Sequence, residues 1–170
     1  MTLNVCIAGA GIGGLALAAL LARDGHAVTV LEQAPTLSAV GAGIVLAPNA
    51  MAVLSELGLA ARLQAEGFLP DTMVVTDRRG RALSRLDATH IEHRFGGIVA
   101  LHRAALQAAL RSVAPGGVVC GVAVCSAQAD REGVTVVATD GVERRVDVLV
   151  GADGVRSAVR SAVFGAVPLR

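Results

Sequence analysis

The stretch Val5–Gly14 reads VCIAGAGIGG, and Glu32 stands 18 residues beyond its last glycine. An apolar strand runs into glycines at Gly9, Gly11 and Gly14, and the apolar helix Leu15–Ala22 follows. After a turn at Asp24-Gly25-His26, a second strand, Ala27–Leu31, ends in the acid. Each part has a physical task in holding a dinucleotide. Gly9 permits a tight strand-to-helix turn. Gly11 has no side chain and lets a pyrophosphate approach the backbone, and Gly13, two residues on, is counted with the cofactor-binding residues. Gly14 lets the helix pack close to the strand. The N–H groups of the first helical turn, with the helix dipole, favour phosphate charge there. The acid that binds ribose hydroxyls usually lies about 20 residues past the glycines, which fits Glu32. An acid also repels a 2′-phosphate, so the expected ligand is FAD or NAD rather than NADP at this site.

Outward from that stretch, 170 residues suit one domain with a real core. The chain has three Phe and neither Trp nor Tyr, so small aliphatics must build that core. Net charge is +1 with both signs scattered, and the densest basic stretch, Arg78-Arg79-Gly80-Arg81, reads as an exposed hairpin turn. No aromatic residues interleave with it to stack bases, which argues against nucleic acid as a partner. Val5–Ala22 is uncharged and long enough to raise the question of a membrane helix. Its four glycines and strand-like start argue for a buried strand and helix instead, and no basic segment precedes it. The expected compartment is the cytoplasm, with no membrane partner. Cys6, Cys120 and Cys125 lack CxxC or His-rich context and read as small buried hydrophobes. No metal site is expected.

Further along, Gln33–Val40 reads as a loop, and the glycines of Gly41–Ala50 (GAGIVLAPNA) as backbone close to a ligand or a tight bend. Helices are expected at Ala50–Leu57, Leu59–Glu66, His102–Ser112 and Arg156–Phe164. Thr72–Thr76 and Ala82–Leu86 flank a turn and predict a β-hairpin. Thr89–Gly97 reads as irregular, and Ile98–Leu101 as a short strand. Val118–Cys120, Val122–Gln128 and Val134–Thr139 predict strands of an antiparallel meander, with Val142–Arg145 pairing back. Val146–Val150 predicts an apolar strand running into GADG. The fold class is therefore α/β: a Rossmann-like domain with a parallel sheet, helices and a small antiparallel meander. The final strand is expected beside the first, its carboxyl end near the glycine loop.

Five motifs in order carry a resemblance. They are GAGIGG (Gly9–Gly14), LEQAP (Leu31–Pro35), GAGIVLAPNA, LHRAAL (Leu101–Leu106) and GADGVRSAVR (Gly151–Arg160). On these the chain resembles the N-terminal FAD-binding part of the FAD-dependent aromatic-ring hydroxylases, the single-component flavin monooxygenases. It is most similar to the salicylate hydroxylase and 6-hydroxynicotinate 3-monooxygenase group. The resemblance covers essentially the whole chain. It implies FAD as cofactor, NADH or NADPH as co-substrate, and dioxygen delivering one atom to a small aromatic substrate. It implies that Glu32, with Gln33 beside it, meets the adenosine ribose. Arg103 would reach the pyrophosphate and ribityl region, where a planar, permanently charged guanidinium is suited. The backbone of Val124 would face the adenine. Asp153 and Gly154 form the centre of the DG motif, near the pyrophosphate and the nicotinamide path. Asp153 is equally suited to cap the helix after it. Arg156 and Arg160 read as solvated or ion-paired.

Two departures from the pattern bear on chemistry. Val45 occupies the position where the 6-hydroxynicotinate enzymes carry a histidine proposed as base, and valine cannot take a proton. His26 and His102 fit a turn and a helix start, so no catalytic residue is assigned. The later Gly-Asp motif and the strands of the aromatic pocket are also missing. The chain is expected to be the first part of a longer enzyme, with an incomplete substrate domain whose first piece is residues 71–97. A sheet without its later strands invites self-association. Two rival readings remain: a catalytically incomplete binding fragment or half of a split protein, and a flavin-dependent reductase or halogenase of the same fold.

Overall fold

The computed structural model describes residues 1–37, 41–89 and 97–165. Two compact units divide it, Met1–Ser38 with Leu110–Arg170, and Ala39–Ala109.

The first unit begins with β1 (Asn4–Ala8), α1 (Ile12–Arg23) and β2 (Ala27–Glu32). The β1 segment VCIA is buried throughout, as expected of a strand covered on both faces. β1 and β2 pair in parallel from Asn4↔Ala27 to Ala8↔Leu31. α1 opens at Ile12, three residues before the expected Leu15, so Gly13 and Gly14 lie within its first turn. Glycine is a poor helix former, which hid this start. Asp24 and Gly25 end the helix, with Gly25 at φ +85°. His26 sits in the expected turn, its Nδ1 accepting from the Leu3 N–H.

The second unit holds β3 (Gly43–Leu46), α2 (Pro48–Glu56), α3 (Ala60–Glu66), β4 (Thr72–Thr76), β5 (Ala82–Asp87) and β6 (Val99–His102). β3 corrects the reading of GAGIVLAPNA as a bend alone: Ile44-Val45-Leu46 pairs antiparallel with β6. Three aliphatic residues between Gly43 and Ala47-Pro48 are too short a run to announce a strand. Pro48 at the first position of α2 fits there because its missing N–H has no intrahelical partner. β4 and β5 form the expected hairpin, with an irregularity at Val75/Thr76. His102 closes β6 rather than opening a helix. Most of Thr89–Gly97 lies outside the described residues.

The boundary between the units falls within α4 (Arg103–Val113), whose last basic residue, Arg111, donates to the Leu37 carbonyl. The first unit then resumes with β7 (Val118–Cys120), β8 (Val124–Asp130), β9 (Gly133–Ala138), β10 (Glu143–Val146), β11 (Val148–Gly151) and α5 (Ala158–Phe164). β7 is not part of the meander. It pairs in parallel with β2, giving a sheet of order β11-β1-β2-β7. The antiparallel sheet is β10-β9-β8. The expected strand Val146–Val150 is in fact two. Val146 closes β10 against Val134, and Val148 opens β11 against Val5. Asp147 makes the switch: its Oδ2 accepts from the Asn4 N–H at 2.7 Å, and its own N–H donates to the Asn4 carbonyl.

The core of this unit lies between the two sheets and α5. Cys6, Ala8, Leu31, Val124, Val136, Ala138, Val146 and Val159 cluster there. Burial pushes the Cys6 thiol pKa up, against a smaller opposing pull from Arg144. Cys120 and Cys125 are exposed, not buried as expected, because each lies on an edge strand of its sheet. The meander's outer ends are tied by Arg145–Asp130 and Arg144–Asp140 ion pairs, both at 2.5 Å. Hydrogen bonds from these guanidinium groups hold both carboxyl pKa values down at about 2. Among the described residues no helix is long and apolar enough to cross a membrane, and no cluster of side chains could hold a metal ion.

Candidate functional site

Parallel strands β11, β1 and β2 end on the same side, and the glycine loop crosses that edge. Gly9 adopts φ +101°, a left-handed conformation open to glycine at little cost. Its N–H donates to the Leu31 carbonyl at 2.7 Å, and the Ala152 N–H donates to the Ala8 carbonyl at 2.8 Å. The loop is thereby held between the ends of β2 and β11. A Cβ on Gly9 would meet the Ala152 carbonyl and come within 3.0 Å of the Asp153 Cα. One on Gly14 would run into the Gly9 carbonyl oxygen. These two glycines are required by the protein's own packing.

Gly11 and Gly13 differ. A Cβ at either would meet nothing within 4 Å. The space above them is open, and packing alone does not demand glycine there. Gly11 is also the N-cap of α1, and no side chain caps that terminus. A helix start without a side-chain cap, beside open space, is a cradle for an anion.

Glu32 closes β2 with its carboxylate turned back toward the loop. Oε2 accepts from the Ala10 N–H at 2.7 Å and Oε1 from the Ala34 N–H at 2.8 Å. The same segment is lined by the chain beyond β7. The Gly121 N–H donates to the Ala34 carbonyl, and the Val122 N–H to the Glu32 carbonyl, both at 2.9 Å. Gln33 is exposed. Val124 follows on β8, paired with Ala138, and its side chain is buried in the core. β8 starts at Val124 rather than Val122 and carries an irregularity between Val124 and Ser126.

Asp153 follows β11. Its Oδ2 accepts from the Ala158 and Val159 N–H groups at 2.7 and 3.3 Å, so the capping reading is realised. Ser157 is buried and caps the same helix by accepting from the Arg160 N–H at 2.9 Å. The second carboxylate oxygen, Oδ1, is buried and has no hydrogen-bond partner among the described residues. A buried carboxylate oxygen without a donor is costly, and it marks a place where a donor from a ligand would fit. Gly154 takes φ +80°. Arg160 bonds the Val155 carbonyl at 2.8 Å, and Arg156 is exposed.

The cap carries its own prediction. Asp153→Ala is expected to lower stability by about 1 kcal/mol through lost capping. Asp153→Asn keeps one acceptor oxygen and is expected to retain most of that stability. Thermal denaturation of both variants checks this.

Gly9, Gly11, Gly13, Gly14, Glu32, Asp153 and Gly154 thus gather at one sheet edge. Arg103 belongs to the second unit and opens α4 there. Its N–H donates to the Ala42 carbonyl at 3.2 Å, and its side-chain carbons fill the space beside Gly41, where a Cβ would come within 3.0 Å. It is exposed and makes no ion pair among the described residues. Val45 is exposed on β3 and paired with Ala100. Sequence reasoning missed the Ala10 and Ala34 N–H groups as partners of Glu32. Backbone donors leave no mark in a sequence.

Comparison with known proteins identifies the family. The family described as "FAD binding domain" matches residues 2–166. The chain is 38% identical to the 3-amino-4-hydroxybenzoate 2-monooxygenase of Streptomyces platensis, covering 97% of this chain and 43% of that enzyme. It is 32% identical to the 6-hydroxynicotinate 3-monooxygenase of Bordetella bronchiseptica, over 96% of this chain and 44% of that protein. Among solved structures, Klebsiella pneumoniae HpxO complexed with FAD and uric acid superposes with a TM-score of 0.84 at 32% identity. That match covers 98% of this chain and 43% of HpxO. The chain therefore spans less than half the length of the relatives it matches. With a matching family that runs almost end to end, and relatives of this identity, the chain belongs to the FAD-binding domain family of flavin-dependent aromatic monooxygenases.

Proposed function

We propose that this chain is the FAD-binding portion of an NAD(P)H-dependent flavin monooxygenase that hydroxylates a small aromatic substrate. One observation carries the reading. Open space above Gly11 and Gly13, the Glu32 carboxylate and the unpartnered Asp153 oxygen lie along a single sheet edge. These residues fit a dinucleotide. The α1 start would hold the pyrophosphate, Glu32 with Gln33 the ribose, and the backbone near Val124 the adenine. Asp153 and Gly154 would meet the pyrophosphate side, and Arg103 the ribityl and phosphate region. Residues 71–97 would be the first piece of the substrate domain, and the compartment the cytoplasm.

The bound flavin would supply electron transfer from NAD(P)H and activation of dioxygen, and the protein would supply position and electrostatics. Glu32 remains an acceptor for hydroxyl protons. The start of α1 offers donors and a positive dipole end to phosphate oxygens. Val45 holds and moves no proton, so a base acting on the substrate must come from elsewhere. The two monooxygenases compared above are named for 3-amino-4-hydroxybenzoate and 6-hydroxynicotinate, which supports a hydroxylated, nitrogen-bearing aromatic acid as substrate.

The test is the visible absorption spectrum of the purified chain before and after addition of FAD and desalting. A retained flavin band, followed by NAD(P)H oxidation stimulated by aromatic acids, is the expected result for the full reading. Retained flavin without stimulated oxidation would leave a binding portion only. A folded chain that keeps no flavin and binds none on titration would overturn the reading.

A further inference from the structure

We infer that Glu32 is also a positioning residue, whose carboxylate clasps the glycine loop to the end of β2 before any nucleotide arrives. Its purpose rests on the dinucleotide reading above, but its geometry does not. One side chain ties together two backbone segments, through the Ala10 N–H at 2.7 Å and the Ala34 N–H at 2.8 Å, both partly buried. Ala10 sits inside the loop, between Gly9 and Gly11. Ala34 lies two residues beyond Glu32, in the turn that leaves β2.

The loop needs an outside anchor. Gly9-Ala10-Gly11-Ile12-Gly13-Gly14 contains no polar side chain, and no side chain caps α1. Glycine loses more backbone freedom on ordering than any other residue, so such a loop does not hold one conformation by its own side chains. The Gly9 N–H to Leu31 carbonyl bond is one anchor, and Glu32 supplies the adjacent one. An ionised carboxylate suits this because it only accepts and has two oxygens to divide between two donors. Both bonds are charge-assisted, the stronger class.

Each oxygen retains lone-pair capacity after accepting one N–H. Glu32 therefore accepts a ribose hydroxyl without releasing the loop, and the clasp persists in the bound state. The ordering of the loop is met at folding rather than at binding, which is how preorganisation raises affinity. If Glu32 served only as a ribose acceptor, its loss would leave the nucleotide-free loop unchanged. The clasp requires the opposite.

Amide hydrogen exchange on the nucleotide-free chain decides between them. The samples are the parent, Glu32→Gln and Glu32→Ala. Glutamine offers one acceptor oxygen in place of two, while alanine offers none. The Ala10 and Ala34 amides are expected to exchange about tenfold faster or more in Glu32→Ala, with Glu32→Gln between. Val136, fully buried in the meander, exchanges through global unfolding and should accelerate by no more than the measured stability loss accounts for, and by less than Ala10 and Ala34. Unchanged rates at Ala10 and Ala34 would overturn the clasp. So would an equal acceleration at Val136, which reports general loosening. Should Glu32→Ala fail to fold, the near-isosteric Glu32→Gln carries the comparison. FAD titration of the same samples separates the two readings. A parent that binds no FAD while the variant amides accelerate loses the nucleotide reading and keeps the clasp. A parent that binds FAD while the variant amides hold their rates does the reverse.

Discussion

Gly11→Val is expected to fold like the parent and to lose FAD. The fold tolerates it on two counts. Gly11 has φ −68° and ψ 179°, extended backbone that a β-branched residue adopts readily. A Cβ there meets nothing within 4 Å. The ligand does not tolerate it, because the isopropyl group would stand in the space above the start of α1. On the proposed dinucleotide reading, loss of the phosphate's contacts with the start of α1 corresponds to about a hundredfold or more in affinity. Circular dichroism and thermal melting would match the parent, while fluorescence titration would show the weakened flavin. Gly14→Ala is the contrasting control. Its methyl runs into the Gly9 carbonyl oxygen, and the backbone must shift, at a cost of about 3 kcal/mol. Two glycines of one motif thus fail in different ways, one through the ligand and the other through the fold. A Gly11→Val chain that binds FAD like the parent would remove the phosphate cradle from this loop.

That contrast shows how much a sequence discloses. The spacing of Gly9, Gly11 and Gly14 with Glu32 was enough to expect a βαβ unit and a dinucleotide edge. Apolar strands and glycine spacing are local signals, and the physics that selects them is local too. The placement of β11 beside β1 was legible for the same reason, since GADG follows an apolar run. The break at Asp147 was not. One acid between Val146 and Val148 reads as an interruption in a strand, and only its bonds to Asn4, far away in the chain, turn it into the exit from one sheet and the entry to another. β7 was misassigned because three residues do not reveal whether their partner is β2 or β8. Edge positions likewise explain the exposed Cys120 and Cys125, for a residue's own identity does not say which strand will be outermost. At the site, glycines and acids were visible as letters. The backbone donors they meet, and the unpartnered oxygen of Asp153, exist only in three dimensions.

Glu32→Lys is expected to have the second large effect, acting on fold and ligand together. The carboxylate's two acceptor oxygens are replaced by a group that only donates. The Ala10 and Ala34 N–H groups, both partly buried, lose their acceptor, at a cost of about 1–3 kcal/mol each. Stability should therefore fall by about 2–6 kcal/mol, read as a lower denaturant midpoint. Flavin affinity should fall by about a hundredfold or more, because the ribose loses its acceptor and the loop its anchor. The two losses separate experimentally. Glu32→Gln restores one acceptor and removes the introduced positive charge, so its stability should recover more than halfway toward the parent. Its flavin affinity should recover less, since the amide oxygen reaches only one of the two loop donors and the NH2 in place of the second oxygen can only donate. Unchanged FAD affinity in a folded Glu32→Lys chain would strip Glu32 of its ribose role, whatever the stability measurement returned. Lost affinity with undiminished stability would instead leave Glu32 a ligand contact and no more, because a clasp that costs nothing to break holds nothing.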